Sequence, residues 1–488
     1  MSPRQRVLRK QLPGDPLASQ YNKTIRQSSA EQLSPNGTDE KDRTSTTMRR
    51  LLVYTSVVGG VVLFLACTHL YLFFSPQLLW HQEPHFEPHR PLNLGRRIKL
   101  NSTASSVPDF HLPLRTSGSK ILDSRDAVVK LTSINWYGAS DVIYIPSGLD
   151  TRHRDEIALL IRRMGFNSVR LPYADEMVRK NPFIPDDELS ANPDLVGQRA
   201  LDVFFAVVNS LTDAGLMVIP NDHITQAAWC CGTNLSDLCD GGWSNDWLEP
   251  FCRVRQTEED WIQNWETVMR PLANNPLVVG ADLRNEVRGI WGTMPWDTWA
   301  SAAEKASERL LSINRNWLMF IEGISSANDL SGVRKRPVKL SVPDRVVYSS
   351  HIYSWSGWGQ LWTYGKRPFE SFAGAMIDNW AYLISDEIAP VWVGELGVSD
   401  MPNEEDLNYW DHLAAYLRNT DTSWGYWALN PRKPGSNDWE SYGLVDDDWE
   451  TVRWDYRMDD MVTLGLTPHH KSNPVPPENG QIPIQAQN

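Results

Sequence analysis

Residues 281–286 read ADLRNE and residues 391–397 read VWVGELG, and in both an apolar, strand-like run closes on a carboxylate, Glu286 and Glu395. A strand buried on both faces of a parallel barrel shows this nearly unbroken apolar character. In a (β/α)8 barrel the carboxyl ends of the strands form the active-site face. Two carboxylates delivered there from separate strands can flank one bond, as cleavage of a glycosidic bond requires.

The surrounding sequence alternates in the same way. Strand-like runs fall at 128–138 (VVKLTSINWYG), 167–173 (NSVRLPY), 216–223 (LMVIPNDH), 277–286 (LVVGADLRNE), 317–323 (WLMFIEG), 345–353 (RVVYSSHIY), 390–397 (PVWVGELG) and 422–430 (TSWGYWALN). Helical patterns separate the early ones: RDEIALLIRRMG, QRALDVFFAVVNSLTDAG, EEDWIQNWETVMRPLA and WDTWASAAEKASERLLSIN. This predicts eight βα units in an α/β TIM barrel over residues 110–465. A short hairpin, LRTSGSKILDS, leads in and covers its bottom.

Residues 51–74, LLVYTSVVGGVVLFLACTHLYLFF, contain no Asp, Glu, Lys or Arg. As a helix this run would cover about 36 Å, enough for a bilayer core. Lys41, Arg43, Arg49 and Arg50 precede it, whereas only Arg90 occurs in the twenty residues after it. The positive-inside rule then places the N-terminus in the cytoplasm and the barrel outside the cytosol or in the lumen, as in a single-pass type II protein. A cleaved signal peptide would have a shorter apolar core nearer the chain start. Residues 1–50 carry a net +5 of the chain's −13, and their Ser, Thr, Gln and Pro content predicts a disordered basic tail.

Residues 75–109 read as a Pro-rich extended linker, and 466–488 as a second disordered tail. His81, His85 and His89 have helical spacing, but Pro84 and Pro88 forbid the helix that would turn them into a metal-binding face. Cys67 lies in the apolar span, while Cys230, Cys231, Cys239 and Cys252 crowd one loop. Their spacing is not that of a zinc site and fits two disulfides of an oxidising compartment, with three pairings open. Asn101 and Asn234 lie in glycosylation sequons on the expected outer side; those at Asn22 and Asn36 would face the cytosol. Twenty-two tryptophans suit sugar binding as well as a large core. The negative net charge argues against a nucleic-acid partner. No phosphate loop, HExxH or paired CxxC motif occurs, so no metal or other cofactor is expected.

Together these strings resemble glycoside hydrolase family 5, the cellulase-like retaining β-glycosidases built on a TIM barrel. The resemblance covers roughly residues 110–460. NSVRLPY supplies Arg170, NDHIT supplies His223, LRNE supplies Asn285 and Glu286, SSHIYSW supplies His351 and Tyr353, VGELG supplies Glu395, and GYWALNP supplies Trp427. The resemblance implies that Glu395 is the nucleophile and Glu286 the acid/base. Arg170 would orient Glu395, Asn285 would bond the sugar 2-hydroxyl, Tyr353 would touch the nucleophile, His351 would sit by the acid/base, and Trp427 would stack under the reacting ring. His223 joins them as a substrate-binding residue. Val287 departs from the proline that commonly follows the family's acid/base. The cysteine-rich loop, with Trp229, Trp243 and Trp247, is a second departure and is expected to wall the cleft.

The implied substrate is a carbohydrate, a β-glucan first. Mannan, a glucosylated lipid and transglycosylation are alternatives, as is a membrane-anchored carbohydrate-binding protein with a dead barrel. That last reading predicts loss of a glutamate, and both are present.

Overall fold

The computed structural model describes residues 91–93, 95–100, 110–229, 235–248, 251–289, 293–357, 362–468 and 472–474. All belong to one compact unit, residues 82–488. The expected basic tail and the apolar run 51–74 lie outside the described residues, as do Asn101, Asn234, Cys230 and Cys231. Among the described residues no helix is long and apolar enough to cross a membrane.

Eight parallel strands close into a barrel in sequence order: β1 (Thr132–Asn135), β2 (Ser168–Ala174), β3 (Met217–Ile224), β4 (Gly280–Asp282), β5 (Leu318–Glu322), β6 (Val346–Ile352), β7 (Val391–Leu396) and β8 (Ser423–Tyr426). Register carries the chemistry: Asn135 pairs with Arg170, and Glu395 lies beside His351. At Gly394 the ladder of β7 shifts on both sides, a bulge just before Glu395. Such irregularities re-aim a side chain at the end of a strand.

The lower barrel is filled by Leu131, Met217, Ile219, Val279, Leu318, Phe320, Val347 and Trp392. Leu114, just before the antiparallel hairpin Arg115–Ser117/Lys120–Leu122, and Ile121 within it seal it from below. Outside the barrel pack α1 (Arg154–Met164), α2 (Ala200–Asp213), α3 (Glu258–Met269) and α4 (Trp296–Ile313), then α5 (Phe369–Met376), α6 (Glu404–Thr420) and α7 (Tyr456–Thr463). Local chemistry sets their ends: Thr257 and Asp260 form a capping box on α3, and Gly165 closes α1 in the left-handed region.

Three expectations need correction. The fifth unit has no α-helix, because only a 3-10 turn, Ser331–Arg334, lies between β5 and β6. Pro337, Pro343 and a polar stretch give that segment no apolar helical period. Residues 75–109 are not all linker, since Arg96–Leu100 form a strand with Ile98 and Leu100 buried. That strand pairs antiparallel with Thr451–Trp454 on one side and Ser472–Pro474 on the other, so the C-terminal tail too contributes to the domain.

Candidate active site

Arg170 on β2 is fully buried, and hydrogen bonds engage every donor of its guanidinium. Nε donates to Asp282 Oδ2 at 2.7 Å. Nη1 donates to Asn135 Oδ1 at 3.0 Å and to Glu395 Oε1. Nη2 donates to Asn285 Oδ1 at 2.8 Å and Glu322 Oε1 at 3.0 Å. Burial alone would weaken its charge, but Asp282, Glu395 and Glu322 outweigh that and raise its pKa.

Glu395 receives Arg170 on one oxygen and the Tyr353 hydroxyl, at 2.8 Å, on the other. Hydrogen bonds on both oxygens fix this carboxylate in place. Burial first, and then Glu395, pushes the Tyr353 phenol well above its ordinary value, so it stays a donor.

Glu286 follows β4 in a turn, at φ 48°, a left-handed conformation that a residue with a Cβ rarely adopts. Its amide donates to Glu322 Oε2 at 2.6 Å. Its Oε1 lies 3.2 Å from His351 Nδ1. Burial pushes the Glu286 carboxyl up to about 7, against the pull of Arg288 and Arg170. His351 is driven by burial down to about 4, against the opposing charge of Glu395. Glu286, His351 and Glu395 present an oxygen or nitrogen each, all within 4.8 Å of one another. The two carboxyls thus each bring an oxygen close enough to act on one bond. These three groups are also the cluster that could hold a metal ion among the described residues, but the Arg170 cation on Glu395 disfavours a second cation there.

Around this centre the Asn285 amide donates to the Asp222 carbonyl at 2.8 Å. The Asp222 carboxylate is held by Arg284 at 3.1 Å and by the Trp261 indole at 2.6 Å, so Asn285 rests on a buried polar support. His223 Nδ1 lies 2.9 Å from Asn221 Oδ1. The Trp427 indole runs nearly parallel to His223 (5.4 Å, 13°) and to Tyr137 (4.7 Å, 12°) and is only 8% exposed. The structure thus brings all eight residues of the sequence motifs to one end of the barrel.

Sequence reasoning missed Asn135, Asp282, Glu322 and Tyr137, whose hydroxyl bonds Glu440 at 2.8 Å. Glu322 could have been found, since WLMFIEG closes an apolar run on a carboxylate just as the two quoted strings do. The loop after β3 is pinned by Asp240, which accepts the Thr225 and Gln226 amides at 2.9 Å, and by a Cys239–Cys252 disulfide. Trp243 in that loop does not line the cleft. It is buried against Trp261 and Trp299 with its indole N–H on Glu258, a packing role that spacing could not reveal. Trp247 is exposed, whereas Trp229 meets Trp427 edge-on at 6.2 Å with the Lys433 ammonium 4.4 Å from its ring. Val287, where proline was expected, is fully buried.

The family model for cellulase, glycosyl hydrolase family 5, matches residues 126–433. The chain belongs to glycosyl hydrolase family 5. It is a glycosidase of the class that hydrolyses O-glycosyl bonds. An endoglucanase of Paenibacillus polymyxa is 30% identical over 385 residues, 76% of this chain and 90% of its own length. The major extracellular endoglucanase of Xanthomonas campestris is 27% identical over 377 residues, 71% of this chain and 70% of its own. The solved catalytic domain of the Xanthomonas campestris major endoglucanase superposes with a TM-score of 0.60 at 24% identity, over 72% of this chain and 99% of that one. A cellotetraose complex of an endocellulase from Pyrococcus horikoshii gives 0.58 at 21% identity, over 73% and 100%. These structural likenesses support the barrel fold of this glycosyl hydrolase family 5 member.

Proposed function

We propose that the protein is a retaining endo-β-glucanase acting by double displacement. The observation that carries this is the pair Glu395 and Glu286, the first held by Arg170 and Tyr353, the second buried beside His351. The Glu395 oxygen attacks the anomeric carbon as the glycosidic C–O bond breaks, and Glu286 gives its proton to the departing oxygen. The anionic Glu286 then takes a proton from water, whose oxygen attacks the anomeric carbon and releases Glu395. Both carboxyls are buried, and their partners suit the two roles: Glu395 accepts from Arg170 and Tyr353, whereas the Glu286 carboxyl faces His351. Asn285, His223, His351 and Trp427 would bind the sugar in the cleavage subsite. The endoglucanase relatives favour a β-glucan, and the exposed rings of Trp229 and of Trp355, which stacks on Tyr353 at 5.0 Å, favour a polymer running past the site. We further propose that residues 51–74 anchor the enzyme with its barrel outside the cytosol.

Full-length protein should shorten a β-1,4-glucan from within the chain, and the first-formed reducing ends should keep the β configuration. Glu395→Gln should abolish this turnover. Inverted products, or release of single terminal sugars without loss of viscosity, would contradict the proposal.

A further inference from the structure

Glu322, at the end of β5, is fully buried and is bonded both to the Glu286 backbone and to the arginine that holds Glu395. Its Oε2 accepts the Glu286 amide at 2.6 Å, and its Oε1 accepts Arg170 Nη2 at 3.0 Å. His351 Nε2, which makes no hydrogen bond, faces Oε1 at 3.5 Å. One carboxylate thereby touches the backbone of the proposed acid, the guanidinium that holds the proposed nucleophile, and the imidazole beside the acid.

The grip on the Glu286 amide has a particular consequence. Glu286 sits in the left-handed region at φ 48°, where no glycine relieves the Cβ contact. A conformation of this kind persists only when its surroundings over-determine it. The short hydrogen bond from the Glu286 amide to Glu322 Oε2 ties the left-handed residue itself to a rigid strand, next to the bond that ties the Asn285 amide to the Asp222 carbonyl. The turn in turn aims the Glu286 side chain at His351.

We infer that Glu322 is a positioning residue for acid catalysis: it holds Glu286 in its left-handed turn and so sets where the proton is delivered. The inference rests on the acid/base reading of Glu286. A glutamine at 322 can accept only one of the two donors, because its NH2 must face either the Glu286 amide or Arg170. Both bonds then cannot survive.

The test compares full-length wild type, Glu286→Gln, Glu322→Gln and Glu322→Asp by kcat/KM on aryl β-glycosides that range from dinitrophenyl to phenyl. This ratio reports formation of the glycosyl-enzyme, and a good leaving group needs no acid. Glu322→Gln should lose at least tenfold more activity on the phenyl than on the dinitrophenyl substrate, and Glu322→Asp should follow the same trend. The alkaline limb of the pH profile, measured on the phenyl substrate, should move in both variants. The groups facing Glu322 that could share in that movement are Arg170, Asp282, Glu286, His351 and Glu395. An equal loss on every substrate, no loss, or failure of both Glu322 variants to fold would overturn the inference and leave Glu322 a structural residue. If Glu286→Gln itself shows no leaving-group dependence, it is the acid assignment that falls.

Discussion

At Glu286 the decisive physical quantity is desolvation. A carboxyl buried away from water keeps its proton past the ordinary range, and here burial pushes it up to about 7. In the acid role proposed for it Glu286 must be protonated to act, so its working fraction is full well below that value and falls as pH rises through it. For a substrate with a poor leaving group, kcat/KM should decline on the alkaline side of about pH 7, and Glu286→Gln should remove that limb. On such a substrate the variant should lose roughly 10²–10⁴-fold, the usual contribution of general acid catalysis. A profile measured from about pH 5 to 9 checks both, and an alkaline limb surviving in the variant would assign the titration to another group. The motif residues were legible because each puts a chemically unusual side chain in, or just after, an apolar strand-like run. Asn135, Asp282 and Tyr137 were not, since a lone polar residue in an apolar run carries no mark of which guanidinium or ring it will meet.

Among the elements, the eight strands were readable from their apolar runs, and the structure has all eight in order. The apolar run 277–286 predicts a ten-residue strand, yet β4 covers only Gly280–Asp282, and LRNE leaves it to form the turn that carries Asn285 and Glu286. Hydropathy cannot separate a buried turn from a buried strand, and both read as core. The bulge of β7 was equally silent. Its neighbour Gly425 on β8 approaches so closely that an added Cβ would sit 2.6 Å from the Gly394 carbonyl oxygen. Gly425→Ala should therefore push β7 away from β8 just below Glu395. We expect a loss of about 1–3 kcal/mol of stability, as for overpacking elsewhere, together with a fall in kcat larger than any change in KM. Denaturant titration and steady-state kinetics would measure the two, and an alanine variant with unchanged kcat would show that the role proposed for Glu395 does not depend on this contact.

For the whole molecule, the sequence divides into a short apolar run, a connecting segment and one catalytic barrel, and the proposed orientation can be read chemically. With the N-terminus in the cytoplasm, glycan should attach at Asn101 or Asn234 and never at Asn22 or Asn36, because the modifying enzymes act on the other side of the membrane. Mass spectrometry of the protein from a glycosylating host decides this, and glycan on Asn22 or Asn36 would reverse the orientation. The chain's ends bear on any attempt to produce the barrel alone. Arg96–Leu100 is the middle member of its three-stranded sheet, so a fragment trimmed to residues 110–460 would lose not a dangling leader but an interior strand. It would present Thr451–Trp454 as a bare ladder edge and uncover the side chain of Val452, a template for pairing with another molecule. Preparations that begin before residue 91 and continue past residue 474 should stay monomeric where shorter ones clump, and for this enzyme the choice of cut site is a choice about colloidal behaviour.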